Sequence, residues 1–157
     1  MGLDATVYCN CFETGKLKEQ PDQEVFVCHN GSLECQEEDL DIQLAFDQWL
    51  YCRACDHANG ILVHHRIGNI ALVGLLREEL KLKKELFPYL LSKILYNGIH
   101  GGDFLPIQDF SILRAELDQL TTFSCSSKRN AECVDWFRTQ MVELLEAAES
   151  VSKPISF

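Results

Sequence analysis

Ile61-Leu-Val-His-His-Arg-Ile-Gly-Asn-Ile-Ala-Leu-Val-Gly-Leu-Leu-Arg-Glu-Glu-Leu-Lys-Leu-Lys-Lys84 holds both kinds of secondary structure in one segment. Ile61 to Arg66 has the β-branched and aliphatic character of a short strand, and Gly68 stops it. Beyond Asn69 the hydrophobic period changes. Val73, Leu76 and Leu80 recur at three and four residues, which predicts a helix from Ile70 to about Lys84. Asn69 is a residue type that caps such a helix, and Lys81, Lys83 and Lys84 gather at its C-terminal end, where the helix dipole favours positive charge.

The flanks decide how strand and helix are arranged. Upstream, Leu3, Ala5, Val7, Cys9 and Cys11 alternate across residues 3–12, the period of a half-buried strand. Glu24 to His29 is a second β-like run, and Asn30-Gly31, a strong hairpin signal, returns the chain through Ser32 to Cys35, implying an antiparallel meander. Asp39 or Asp41 can cap a helix carrying Ile42, Ala45, Phe46, Trp49, Leu50 and Cys52, which Asn59-Gly60 ends. Downstream, Phe87 to Tyr96 reads as an apolar helix with Pro88 in its first turn, and Gly98, Gly101 and Gly102 permit a tight turn with positive φ. Pro106 opens a helix through Ile107, Phe110, Leu113, Leu117 and Leu120. A last helix carries Val134, Phe137, Met141, Leu144, Leu145 and Ala148, and β-like Ile155-Ser-Phe157 follows Pro154. The expected class is α+β: a small N-terminal antiparallel sheet packed by four or five helices, in a single domain over residues 1–157.

The charge is unevenly placed. The chain has 24 Asp and Glu against 14 Lys and Arg, a net charge of -10, which disfavours bare nucleic acid and anionic membranes as partners. Between Glu19 and Cys52 stand nine acids and no Lys or Arg, leaving 15 acids and 14 bases elsewhere. Such a run is either a solvated face or a docking surface for a basic protein, with Glu34, Glu37, Glu38, Asp39, Asp41 and Asp47 as the binding candidates. The N-terminal residues have no positive n-region and an acid at position four, so no secretory signal is expected, and the longest apolar run, Ile70 to Leu76, is too short to span a bilayer. A cytoplasmic location is expected, where the 8 Cys stay reduced and pack as small hydrophobes.

Two patterns carry possible chemistry. Cys52-x2-Cys55-x-His57, followed by His64, supplies the thiolates and imidazoles that zinc prefers, although no second CxxC completes a zinc ribbon, and buried thiols beside a loop histidine account for the same residues. His64, His65, His100 and Asp103 could support acid–base work if they converge, a neighbouring carboxylate orienting an imidazole. On a strand, His64 and His65 point to opposite faces. Trp49 and Trp136 border apolar helical stripes and are expected in the core.

Three short stretches carry a resemblance: Met1-Gly2-Leu3-Asp4 opening into a strand, His65-Arg66-Ile67-Gly68 leading into an apolar helix, and His100-Gly-Gly-Asp-Phe-Leu105 before a helix. They resemble small bacterial immunity proteins of polymorphic toxin systems. That resemblance implies a cytosolic, cofactor-free, single-domain protein that binds and occludes a toxin, and it assigns no functional residue. A non-enzymatic module that meets a basic partner, such as a nuclease toxin, through its acids fits the charge map. The competing expectations are a small metal-dependent or histidine-based enzyme around His64, His65, His100 and Asp103, and a structural subunit of an assembly.

Overall fold

The computed structural model describes residues 2–98, 100 and 102–157. It has the expected α+β architecture, built on a four-stranded antiparallel sheet and a separate two-stranded hairpin. The strands are β1 (Gly2–Tyr8), β2 (Val25–Val27), β3 (Leu33–Cys35), β4 (Ile61–Asn69), β5 (Phe104–Leu105) and β6 (Ile155–Ser156). The helices are α1 (Leu40–Cys52), α2 (Ile70–Lys81), α3 (Phe110–Gln119) and α4 (Lys128–Val151).

The larger sheet runs β4-β1-β6-β5, whereas β2 and β3 pair only with each other. The meander implied by the sequence is therefore replaced by a sheet closed from the far end of the chain: β1 takes β4 on one edge and β6 on the other. Periodicity identifies strands but carries no information about which distant strand will pair. The alternation of β1 is as expected, with Leu3, Ala5 and Val7 buried. Cys9 and Cys11 continue that alternation of burial beyond the hydrogen-bonded strand, which ends at Tyr8.

β4 passes directly into α2. Leu3 pairs with Gly68 and Asp4 with Arg66, so Ile67 is the extra residue of a β-bulge, fully buried, just before the helix cap. Asn69 accepts from the Leu72 amide at 2.9 Å. Val73, Leu76 and Leu80 are buried as their spacing requires, but α2 stops at Lys81, and Lys84 begins a short 3-10 turn. In α4 the buried residues are Val134, Phe137, Met141, Leu144, Leu145 and Ala148, the six positions of the sequence pattern. α4 contacts α2, α3 and strands β1, β4 and β6, which makes it the central element of the main core.

The segment expected as a helix over 87–96 contains a π-helical turn, Leu90–Ile94, closed by the Leu95 amide donating to Leu90 O at 2.8 Å. The wider turn brings Leu90, Ile94 and Leu95, all fully buried, toward the same core. Of the glycines read as a turn, Gly102 has a positive φ of 81°, Gly98 does not, and Gly101 lies outside the described residues. Trp49 is buried at 2% exposure, whereas Trp136 is 41% exposed and lines a surface groove with Leu72, Arg129 and Cys133. The expectation of a core Trp136 is thus corrected: on α4 it stands beside Phe137, and the inward register belongs to Phe137.

Candidate functional site: a cysteine–histidine cluster beneath an acidic helix

Residues 9–60 form a lobe at one end of the sheet with a small core of its own. Phe46, Trp49 and Ala54 are buried there against Leu17, Val25, Leu33, Cys35 and Leu50, so α1 rests on the β2–β3 hairpin. Asp39 is the N-cap of α1 and accepts from the Asp41 amide at 2.9 Å. The Trp49 indole donates to Glu19 O at 3.0 Å, and Arg53 pairs with Glu19 at 2.7 Å.

Within this lobe two loops meet. The chain leaving β1 turns sharply after Cys11, with Lys16 N donating to Cys11 O at 2.8 Å and Gly15 in the left-handed region at φ 69°. The loop after α1 carries Cys55 and His57. Backbone hydrogen bonds join the two, Lys18 N to Ala54 O at 2.8 Å and Cys9 N to Gly60 O at 2.7 Å. As a result the ligand atoms of Cys9, Cys11, Cys55 and His57 lie within 4.8 Å of one another, a group that could hold a metal ion such as zinc. Cys9 Sγ is 3.8 Å from Cys55 Sγ, and His57 Nδ1 is 3.6 Å from Cys11 Sγ and 3.8 Å from Cys55 Sγ. The His57 amide lies 3.4 Å from Cys55 Sγ, a donor aimed at the sulfur. Burial pushes the Cys9 thiol up to about 12, and burial also raises Cys11. Apolar surroundings favour neutral thiols, and a bound cation is what converts such thiols to thiolates.

The cluster corrects the metal set expected from the sequence. Cys55 and His57 belong to it. Cys52 does not: it is exposed on α1, and its thiol donates to Gln48 O at 3.1 Å. His64 also lies outside, on β4, paired with Thr6 Oγ1 at 3.0 Å. Cys9 and Cys11, read as packing residues, take the two places. The signal was a matched spacing, Cys9-x-Cys11 and Cys55-x-His57.

The chain matches no protein-family model, no curated protein and no solved structure.

The histidine constellation is divided by the sheet. His64 and His65 do point to opposite faces of β4, one toward Thr6 and the other to within 2.8 Å of Glu143 on α4. His100 and Asp103 precede β5, at the other sheet edge, with β1 and β6 between. The cross-strand row His64, Thr6, Ser156, Phe104 spans three strand spacings, about 14 Å. His100 Nδ1 is 3.3 Å from Asp103 Oδ2, but its ring is packed between Tyr96 and Phe157, and Nε2 sits 2.8 Å from the Ile94 carbonyl. That pair is a local structural unit beside a cleft of about 380 Å³ lined by Ser92, Lys93, Tyr96, Asp103 and Phe157.

The acids lie where the charge map points. Glu34, Glu37, Glu38, Asp39, Asp41 and Asp47 are all exposed. Among the described residues none of the six is in an ion pair. Asp39 differs from the rest because its carboxylate is engaged in capping. On the outer face of α1, Leu40, Leu44 and Tyr51 are 68%, 57% and 61% exposed. Their spacing sets them in one stripe, with Asp47 on it and Asp41 beside it. No helix among the described residues is long and apolar enough to cross a membrane.

Proposed function

We propose that the chain is a non-enzymatic protein-binding module that receives a basic partner on the outer face of α1. The observation that carries this reading is the exposed stripe of Leu40, Leu44 and Tyr51 among unpaired carboxylates. Large apolar side chains aligned on one helix mark a contact surface, since burying each contributes about 1.5–3 kcal/mol. Acids around the stripe speed encounter with a basic protein and set its orientation. A cytoplasmic immunity protein that occludes the basic face of a toxin, such as a nuclease, is the role supported by both the surface and the resemblance. The cysteine–histidine cluster enters this reading as a structural support holding zinc, because four protein donors leave no coordination position for a substrate.

The test is binding to a basic protein partner, such as a catalytically silent nuclease toxin. Triple reversal Glu37→Lys, Glu38→Lys and Asp41→Lys should weaken association about tenfold or more and flatten its salt dependence. Leu44→Ser should accelerate dissociation. Asp39 is left intact because it caps α1. Unchanged affinity in both variants rejects the surface.

A further inference from the structure

We propose that Cys9, Cys11, Cys55 and His57 bind one Zn2+ in a closed tetrahedral site, and that this ion is the staple on which residues 9–60 fold. Zinc–sulfur bonds of about 2.3 Å and zinc–nitrogen bonds of about 2.0–2.1 Å place the donors of a tetrahedron about 3.8 Å apart for two sulfurs and about 3.6 Å for sulfur and nitrogen. Three of the six donor separations are 3.8 Å between Cys9 and Cys55, and 3.6 and 3.8 Å from His57 Nδ1 to Cys11 and Cys55, and all six are within 4.8 Å. A disulfide would bring two sulfurs to about 2.05 Å, so the spacing fits shared ligation and not a covalent bond. Three thiolates and one imidazole suit zinc over calcium or magnesium, which take oxygen donors. The His57 amide directed at Cys55 Sγ is the kind of outer hydrogen bond that orients a thiolate ligand.

The location explains what the ion does. Cys9 and Cys55 are 46 positions apart, and the segment between them holds the hairpin and α1. Apart from the cluster's own cysteines, Phe46, Trp49 and Ala54 are the buried hydrophobic residues of that lobe, while the main core under α4 is far larger. A core of three side chains is too small to hold some fifty residues, and small folds of that size use a metal or disulfides as staples. The cluster lies between the two cores, with Leu17 packing against both the cysteines and the Phe46–Trp49 group. This inference stands independently of whether α1 meets a partner.

The experiment is metal analysis of the full chain purified without chelator, followed by stripping and reloading. One zinc per chain is expected in the wild type and in Cys52→Ser, and none in the double variant Cys11→Ser/His57→Ala. Cobalt added to stripped wild type should produce the intense visible absorption of tetrahedral cobalt thiolate, a readout that needs no variant to fold. In Trp136→Phe, which leaves Trp49 as the sole indole, stripping should shift emission to the red and zinc should restore it, while far-UV circular dichroism keeps most of its helical signal. Absence of stoichiometric zinc, retention of zinc by the double variant, or another metal in its place overturns the site. Zinc present with Trp49 emission indifferent to its removal overturns the folding role.

Discussion

Glu79 and Glu116 are the buried carboxylates on which the helical part depends. Glu79, on α2, accepts from the Ser126 amide at 2.9 Å, from the Ser126 hydroxyl, and from Asn130 Nδ2 at 2.6 Å, tying α2 to the start of α4. Glu116, on α3, accepts from the Tyr89 and Leu90 amides at 2.7 and 2.8 Å and so satisfies free N–H groups at the start of the π-helical turn. Glu79→Gln or Glu116→Gln should each cost about 1–3 kcal/mol in urea unfolding, since a charge-assisted acceptor is weakened where no water replaces it. The Ser126 hydrogen bonds hold the Glu79 carboxyl below its ordinary value of 4.5. A lowered folded value stabilises the protein above the unfolded value and loses that contribution as pH falls through the folded one. Stability should therefore decline on acidification below about pH 4.5, and Glu79→Gln should make the decline shallower; identical acid limbs in the two proteins would refute the assignment. Both glutamates occupy core register on their helices, three residues after Leu76 and Leu113. The apolar pattern did not single out either glutamate, because the amides that justify its burial belong to other segments.

Among the elements, α4 shows most clearly what periodicity can and cannot determine. Its six inward positions follow from the sequence, and Phe137→Ala should cost about 3–5 kcal/mol by cavity formation, against a much smaller loss for the exposed neighbour Trp136→Ala. Equal losses would show that Trp136 is covered in solution. The junction of β4 and α2 was also legible as Gly68 followed by a cap. The structure adds why glycine stands there: φ is 156°, and a Cβ would come within 2.8 Å of Leu72 Cδ2. Gly68→Ala should destabilise by about 1–3 kcal/mol through overpacking, more than the roughly 1 kcal/mol expected for Asn69→Ala, as read by thermal or urea unfolding. The π-helical turn was not legible, because the same apolar spacing serves an α-helix, and only the position of the core selects the wider turn.

For the molecule as a whole, the uneven charge has an energetic consequence. Unpaired acids crowd the lobe, and among its ties to the rest of the fold is Lys153, buried, paired with Glu13 and donating to Gly31 O at 3.2 Å. Raising salt from about 10 mM to about 150 mM shortens the screening length from about 30 Å to about 8 Å. It should raise the unfolding temperature by relieving acid–acid repulsion more than it weakens this largely enclosed pair; a fall would mean that ion pairs dominate. The amino-acid sequence by itself determined the fold class, the inward faces of α2 and α4, the cap at Asn69, and the crowding of acids between Glu19 and Cys52, since all depend on residues close together in the chain. Only the tertiary structure decided that β1 sits between β4 and β6, that His64 and His65 stand apart from His100 and Asp103, and that Cys9 and Cys11 meet Cys55 and His57. Each of those is a contact across tens of residues, and local periodicity has no term for the partner at the far end of a closed loop.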